Sequence, residues 1–309
     1  MRVAFFGSPA YAVPTLEALT AVDPARLQVV RVVTQPDRPK GHGLHTTPTA
    51  VRVAAEQIGL AVDAAAKIRT PEFRAALAAD RLDLAIVIAY GRILPADLLA
   101  LPRLGFVNLH ASLLPKYRGA APIQWAIARG ETTTGVTLMR VEAGLDTGAI
   151  LATRAVDIAP DEDAAALHDR LAQISARLMV ESIEPLAERK LTATPQNDAA
   201  ATLAPPLTKS DGRIDWTRSA ADVVNHVRAF HVWPGATTTL RAAPIKIHKA
   251  RIATCGGGGP VAPGTIVAAA ARGEGELLVA AGDGFVSILE LQAASRRIGV
   301  GEHFDAEDT

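Results

Sequence analysis

The sequence predicts an α/β protein in two parts, a doubly wound, mostly parallel sheet followed by a small all-β barrel. Three observations predict it. Apolar runs of strand length alternate with helix-period segments through residues 1–190. A stretch rich in Thr, Pro, Asn and Ala with no sustained period, residues 191–206, interrupts that pattern and reads as a linker. From 207 to 309, short strand-like runs recur between glycines and prolines, the pattern of a small barrel.

Each element follows from local chemistry. Buried strands are expected at residues 3–6, 27–34, 84–89 and 106–110, as continuous apolar runs, because helices cover both faces of a parallel sheet. Helical patterns fall between them at 15–19, 51–58 and 71–79. Thr70 followed by Pro71 supplies a capping hydroxyl and then a proline at the first helical position. Residues 133–141 and 150–158 read as two strands joined through Gly144-Leu-Asp146-Thr-Gly148. A long amphipathic helix over 162–186 ends the first domain, with Asp161 and Glu162 near its positive end. In the second domain a helix over 220–230 precedes strands at 237–240, 245–248, 264–267, 277–280 and 286–291, and Trp216 reads as core. The acidic, glycine-rich residues 299–309 read as a poorly ordered tail.

Composition excludes several classes. The single cysteine, Cys255, forms no intrachain disulfide and no Cys cluster for a metal, which points to a reducing, cytoplasmic setting. No apolar run approaches the roughly 18 residues of a membrane span, and the apolar start is too short for a signal-peptide core. The 32 basic residues balance the 32 acidic ones, so net charge alone names no partner. Distribution is more telling: no acidic residue lies between Asp222 and Glu274, while Arg228, Arg241, Lys246, Lys249, Arg251 and Arg272 do. Such a surface suits a phosphate backbone, or its cations are dispersed over several strands and only solvate them. The first turn, Gly7-Ser-Pro, lacks the glycine pattern of dinucleotide binders, and Pro9 removes one N–H that would hold a pyrophosphate.

The chemistry concentrates in Phe106-Val-Asn108-Leu-His110-Ala-Ser112-Leu-Leu-Pro115. Residues two apart share a strand face, so Asn108 and His110 point together at a strand end, where ligands of doubly wound sheets bind. If the loop bearing Asp146 folds over that end, an amide donor, an imidazole and a carboxylate converge. An amide stabilises an oxyanion and an imidazole shuttles protons, which equips the site for acyl transfer. The sequence has no G-x-S-x-G elbow, and Cys255 lies far along the chain, so direct attack by a substrate amine is the simpler route.

Gln35-Pro-Asp-Arg-Pro39, Asn108-Leu-His110-Ala-Ser-Leu-Leu-Pro115, Arg118-Gly-Ala-Ala-Pro-Ile-Gln124, Gly144-Leu-Asp146-Thr-Gly148, Arg213-Ile-Asp-Trp216 and Arg228-Ala-Phe-His-Val-Trp-Pro234 together resemble bacterial methionyl-tRNA formyltransferases, within the folate-dependent formyltransferase superfamily. The resemblance covers nearly the whole chain. It implies a Rossmann-like sheet of the formyltransferase fold with an OB-like C-terminal domain, and transfer of a formyl group from 10-formyltetrahydrofolate to the α-amino group of methionyl initiator tRNA; no His/Asp/Glu spacing resembles a metal site, and a monomer is expected. It assigns Asn108, His110 and Asp146 to catalysis, and Tyr90, Gly91, Ser112, Leu113, Leu114, Pro115 and Gly144 to the folate pocket. It further implies tRNA contacts by Arg38 within the Gln35 motif and Lys40 and His42 after it, and by Arg241, Lys246, Lys249 and Arg251 in the barrel. The loop after Pro39 is less basic than is common in the family. The alternatives are formyl transfer to a sugar-nucleotide or other small amine, and an RNA-binding protein on a retired catalytic fold.

Overall fold

The structure, a computed structural model, describes residues 1–40, 45–254, 261–268, 277–293 and 304–305. His42, Cys255 with the glycines after it, and Arg272 lie outside the described residues. The chain divides into two units, one of Met1–Gly119, Thr134–Val156 and His168–Leu203, the other of Ala120–Thr133, Asp157–Leu167 and Ala204–Thr309. Among the described residues no helix is long and apolar enough to cross a membrane.

The chain opens with β1 (Arg2–Gly7), α1 (Val13–Thr20) and β2 (Gln28–Val33). A short hairpin of β3 (Arg38–Lys40) and β4 (His45–Thr47) precedes α2 (Ala50–Gln57), β5 (Val62–Asp63), α3 (Pro71–Ala79), β6 (Leu84–Ile88), α4 (Ala96–Leu99) and β7 (Phe106–His110). Then come β8 (Arg118–Gly119), α5 (Pro122–Ala128), β9 (Thr133–Arg140), β10 (Ile150–Asp157) and α6 (Ala164–Ala187). Seven strands form one sheet in the order β10-β9-β7-β6-β1-β2-β5. Pairing is parallel from β7 to β5, and β9 runs antiparallel to β7.

Apolar burial drives this sheet. Phe5, Phe6, Leu84, Ile86 and Ile88 are fully buried, each contributing roughly 1.5–3 kcal/mol by leaving water. Thr70 caps α3 as its sequence implies, accepting the Phe73 N–H at 3.2 Å. From β1 the chain winds first toward β2 and β5 and later toward β6 and β7. The reversal therefore falls between β1 and β6, and their carboxyl ends flank the crevice where such sheets bind ligands.

The turn between β9 and β10 depends on a glycine. A Cβ on Gly148 would stand 1.8 Å from the Arg140 carbonyl oxygen. Gly148→Ala is therefore expected to destabilise the protein by about 2–4 kcal/mol, since backbone must move to admit the methyl group. Denaturant unfolding checks it, and a cost below about 1 kcal/mol would refute the close packing of this turn.

The second unit holds α7 (Ala220–Phe230) and, after β11 (Leu203–Ala204), the strands β12 (Ala236–Leu240), β13 (Ala243–Ala253), β14 (Ile266–Ala268), β15 (Leu277–Ala280), β16 (Phe285–Ala293) and β17 (Phe304–Asp305). Six of them form an antiparallel sheet ordered β14-β15-β16-β13-β12-β17. The Phe304 N–H reaches the Gly264 carbonyl oxygen at 2.8 Å, drawing its two ends toward each other as a half-barrel. Val223 and Val227 of α7 pack with Ile245, Ile247, Val279 and Val286 in its core.

Among the differences from expectation are the strand expected at 264–267, which lies at Ile266–Ala268, the long helix, which starts at Ala164 rather than 162, and the unexpected β3–β4 hairpin; two more have a clear physical cause. Phe304 falls in the supposed tail, yet it is 1% exposed, pairs with Leu240 and stacks on Trp216 at 5.7 Å. A lone aromatic among acids and glycines has no periodicity to read, but one such side chain suffices to pin a strand. β13 also runs on to Ala253, beyond the expected 248, because register shifts at Lys249 carry it through a bulge.

Candidate active site

The site grows from the end of β7. His110 is buried, and its Nε2 lies 2.8 Å from the Tyr117 carbonyl oxygen. A carbonyl only accepts, so Nε2 carries a proton and Nδ1 is the nitrogen left to exchange one. Nδ1 stands 3.6 Å from Asp146 Oδ2. That is too long for a strong hydrogen bond but within ion-pair range once the ring is protonated. Asp146 Oδ2 also accepts the Gly119 N–H at 2.9 Å.

Asp146 adopts φ 52, a left-handed conformation costing an L-residue about 1–2 kcal/mol, though aspartate tolerates it better than most. The loop is thus held in one unusual shape. Asn108 is half-buried, one pleat before His110, and its carboxamide has no hydrogen bond among the described residues. Its N–H₂ group therefore remains available to a ligand. Among the described residues no group of three His, Cys, Asp or Glu side chains is placed to hold a metal.

The residues expected around folate divide into two kinds. Gly91 and Gly144 are exposed, and Leu113 and Pro115 half-buried, so these can face a ligand. Tyr90, Ser112 and Leu114 are buried and serve the interior. The Tyr90 ring packs edge-on against Phe6 at 5.5 Å, and burial pushes its phenol above the ordinary tyrosine range. Ser112 donates to the Lys116 carbonyl at 2.6 Å, and the Leu114 N–H is taken by Thr137 Oγ1 at 3.1 Å. Tyr90 does present its carbonyl, which accepts from Gln35 Nε2 at 2.8 Å. The Gln35-Pro-Asp motif is thereby tied to the Tyr90–Gly91 turn, while Asp37 pairs with Arg52 at 2.7 Å.

The expected tRNA contacts other than His42 lie on strands or in a turn between strands. Arg38 and Lys40 belong to β3, paired with β4. Arg241 sits in the two-residue turn between β12 and β13, where it and Ala242 both have positive φ, the geometry of a type I′ hairpin. Lys246, Lys249 and Arg251 are all exposed on β13. Strict alternation would oppose Lys246 to the other two, but the bulge shifts the phase. Ile247 and then Ala250 face the core, and all three cations emerge on the outer side. Glu290 of β16 stands opposite Lys249 and offsets part of that charge.

Sequence reasoning missed a set of supporting residues. Gln196 Nε2 donates to both the Asp146 and Gly148 carbonyls at 2.8 Å. Its Oε1 accepts from Arg118 Nε at 3.1 Å and Nη2 at 2.8 Å. Both partners lie in plain view in the sequence, Arg118 within a quoted motif and Gln196 within the supposed linker, but no local spacing links them.

Comparison with known proteins defines the class first. The formyl transferase family model matches residues 1–183, and the model of the formyl transferase C-terminal domain matches residues 206–307. Methionyl-tRNA formyltransferases of Sorangium cellulosum and Acidobacterium capsulatum are 46% and 47% identical to it, each over 96% of this chain and 93% of the relative. The chain belongs to the methionyl-tRNA formyltransferase family. Among solved structures, the sugar 3-N-formyl transferase WlaRD superposes with a TM-score of 0.66 at 18% identity, covering 93% of this chain and 97% of that one, a likeness of fold alone. Phosphoribosylglycinamide formyltransferase from Bacillus halodurans gives 0.52 at 25% identity, covering 62% of this chain and 97% of that one.

Proposed function

We propose that this protein transfers the formyl group of 10-formyltetrahydrofolate to the α-amino group of methionyl initiator tRNA in the cytoplasm. The observation carrying the chemistry is the His110–Asp146 pair beside a free Asn108 carboxamide at one strand end. Near full-length similarity to relatives of that activity carries the acceptor.

In this reading the amine nitrogen attacks the formyl carbon, and the carbonyl oxygen becomes an oxyanion facing the Asn108 N–H₂ group. His110 Nδ1 takes the proton released by the attacking amine. Asp146 stabilises the imidazolium so formed, which Nε2 cannot relieve because its proton is committed to Tyr117. The C–N bond to N10 then breaks, and N10 receives the proton held on His110 Nδ1 as tetrahydrofolate leaves, which returns the imidazole to its neutral form. General acid–base help of this kind contributes about 10² to 10⁴ in rate.

A cavity of about 450 Å³ supports the folate part of the reading. It is lined by Lys67, Ile68, Arg69, Arg92 and Ile93, beside the Tyr90–Gly91 turn. Arg92 is braced there by the Ala66 carbonyl at 2.7 Å. Cations over an apolar floor suit the benzoyl group and glutamate carboxylates of a folate.

The test offers 10-formyltetrahydrofolate with methionyl initiator tRNA, elongator methionyl-tRNA, a sugar-nucleotide amine, or no acceptor. Formylation confined to the initiator tRNA is expected. Transfer to the sugar-nucleotide amine alone, or to nothing, would overturn the proposal.

A further inference from the structure

We infer that Gln196 is a positioning residue for the reaction: its carboxamide, oriented by the buried Arg118, holds the loop that presents Asp146 to His110. The inference rests on the assignment of His110 and Asp146 to the reacting pair.

The orientation of the amide is set by chemistry on both sides. Two backbone carbonyls, which only accept, meet its nitrogen, and a guanidinium, which only donates, meets its oxygen. Both N–H bonds and both lone pairs are used. The two carbonyls belong to Asp146 and Gly148, so the clamp closes around the residue with φ 52.

Arg118 is itself held. It is 8% exposed, and Nη2 makes a second bond to Asp198 Oδ1 at 2.7 Å. Its backbone N–H donates to the Thr202 carbonyl at 2.8 Å, and the Thr202 hydroxyl accepts the Tyr117 N–H at 2.9 Å. Tyr117 carries the carbonyl that fixes His110 Nε2. One segment, from Gln196 to Thr202, therefore braces the imidazole side and the carboxylate side of the pair together.

Gln196→Glu is the discriminating substitution. A carboxylate keeps the length and the Arg118 bonds, but it has no proton for the Asp146 and Gly148 carbonyls and faces them with like partial charge. If the amide positions Asp146, kcat falls on the order of 10- to 100-fold, with KM for both substrates changed less than about 3-fold. The same substitution made on top of Asp146→Asn then has little further effect, because the group being positioned no longer carries charge. Gln196→Met, isosteric and without hydrogen bonds, behaves like Gln196→Glu. Thermal midpoints measured for each protein separate this from unfolding.

Near wild-type kcat in folded Gln196→Glu overturns the inference. So does a loss that simply adds to that of Asp146→Asn. Full activity of Asp146→Asn alone would instead remove the reading of the site on which it rests.

Discussion

Asn108→Ala is expected to lower kcat by about 10² to 10³, the cost of deleting one donor aimed at a developing oxyanion. The fold should barely register the change. The carboxamide is half-buried and has no hydrogen bond among the described residues, while its strand neighbours Val107 and Leu109 keep their buried places. Stability is therefore expected to stay within about 1 kcal/mol of wild type. Single-turnover formylation at saturating substrates, with denaturant unfolding alongside, measures both. Wild-type turnover in the variant would take Asn108 out of the chemistry, and a large loss of stability would make it a packing residue instead.

Asp146→Asn is expected to cost about 10² to 10⁴ in kcat, the range for removing acid–base assistance. Asparagine is the informative replacement because it accepts left-handed φ as readily as aspartate and its amide oxygen still receives the Gly119 N–H. Shape and loop are retained while the charge facing His110 is lost. Asp146→Ala would confound the two by adding backbone strain. A kcat within about 3-fold of wild type in the asparagine variant would show that the carboxylate charge has no part in the reaction.

Much of this architecture was legible because it is local. The bounds of β7, α3, α7 and β15 agree with the sequence patterns residue for residue, each set by strand alternation, a capping hydroxyl or flanking glycines. Asn108 and His110 share a strand end for the same reason. Closeness of Asp146 to His110 is not local, since it depends on how the turn between β9 and β10 lies over β7. Buried roles for Tyr90 and Ser112 were invisible, because a motif does not say whether a side chain faces ligand or core. The emergence of Lys246, Lys249 and Arg251 on one side depends on a bulge, which shifts phase without a marker in composition. Gln196 lay in a segment read as featureless because its partners are 48, 50 and 78 residues away.

That segment bears on how the protein can be taken apart. An excised first domain ending at residue 190, where helical periodicity stops, would retain Asn108, His110 and Asp146 and lack the hydrogen bonds that Gln196 and Thr202 make to their loops. The first unit itself runs on through this segment to Leu203. Chimaeras that exchange second domains among relatives should therefore carry residues 191–203 with the catalytic half, as part of its machinery rather than as a spacer to be shortened or replaced.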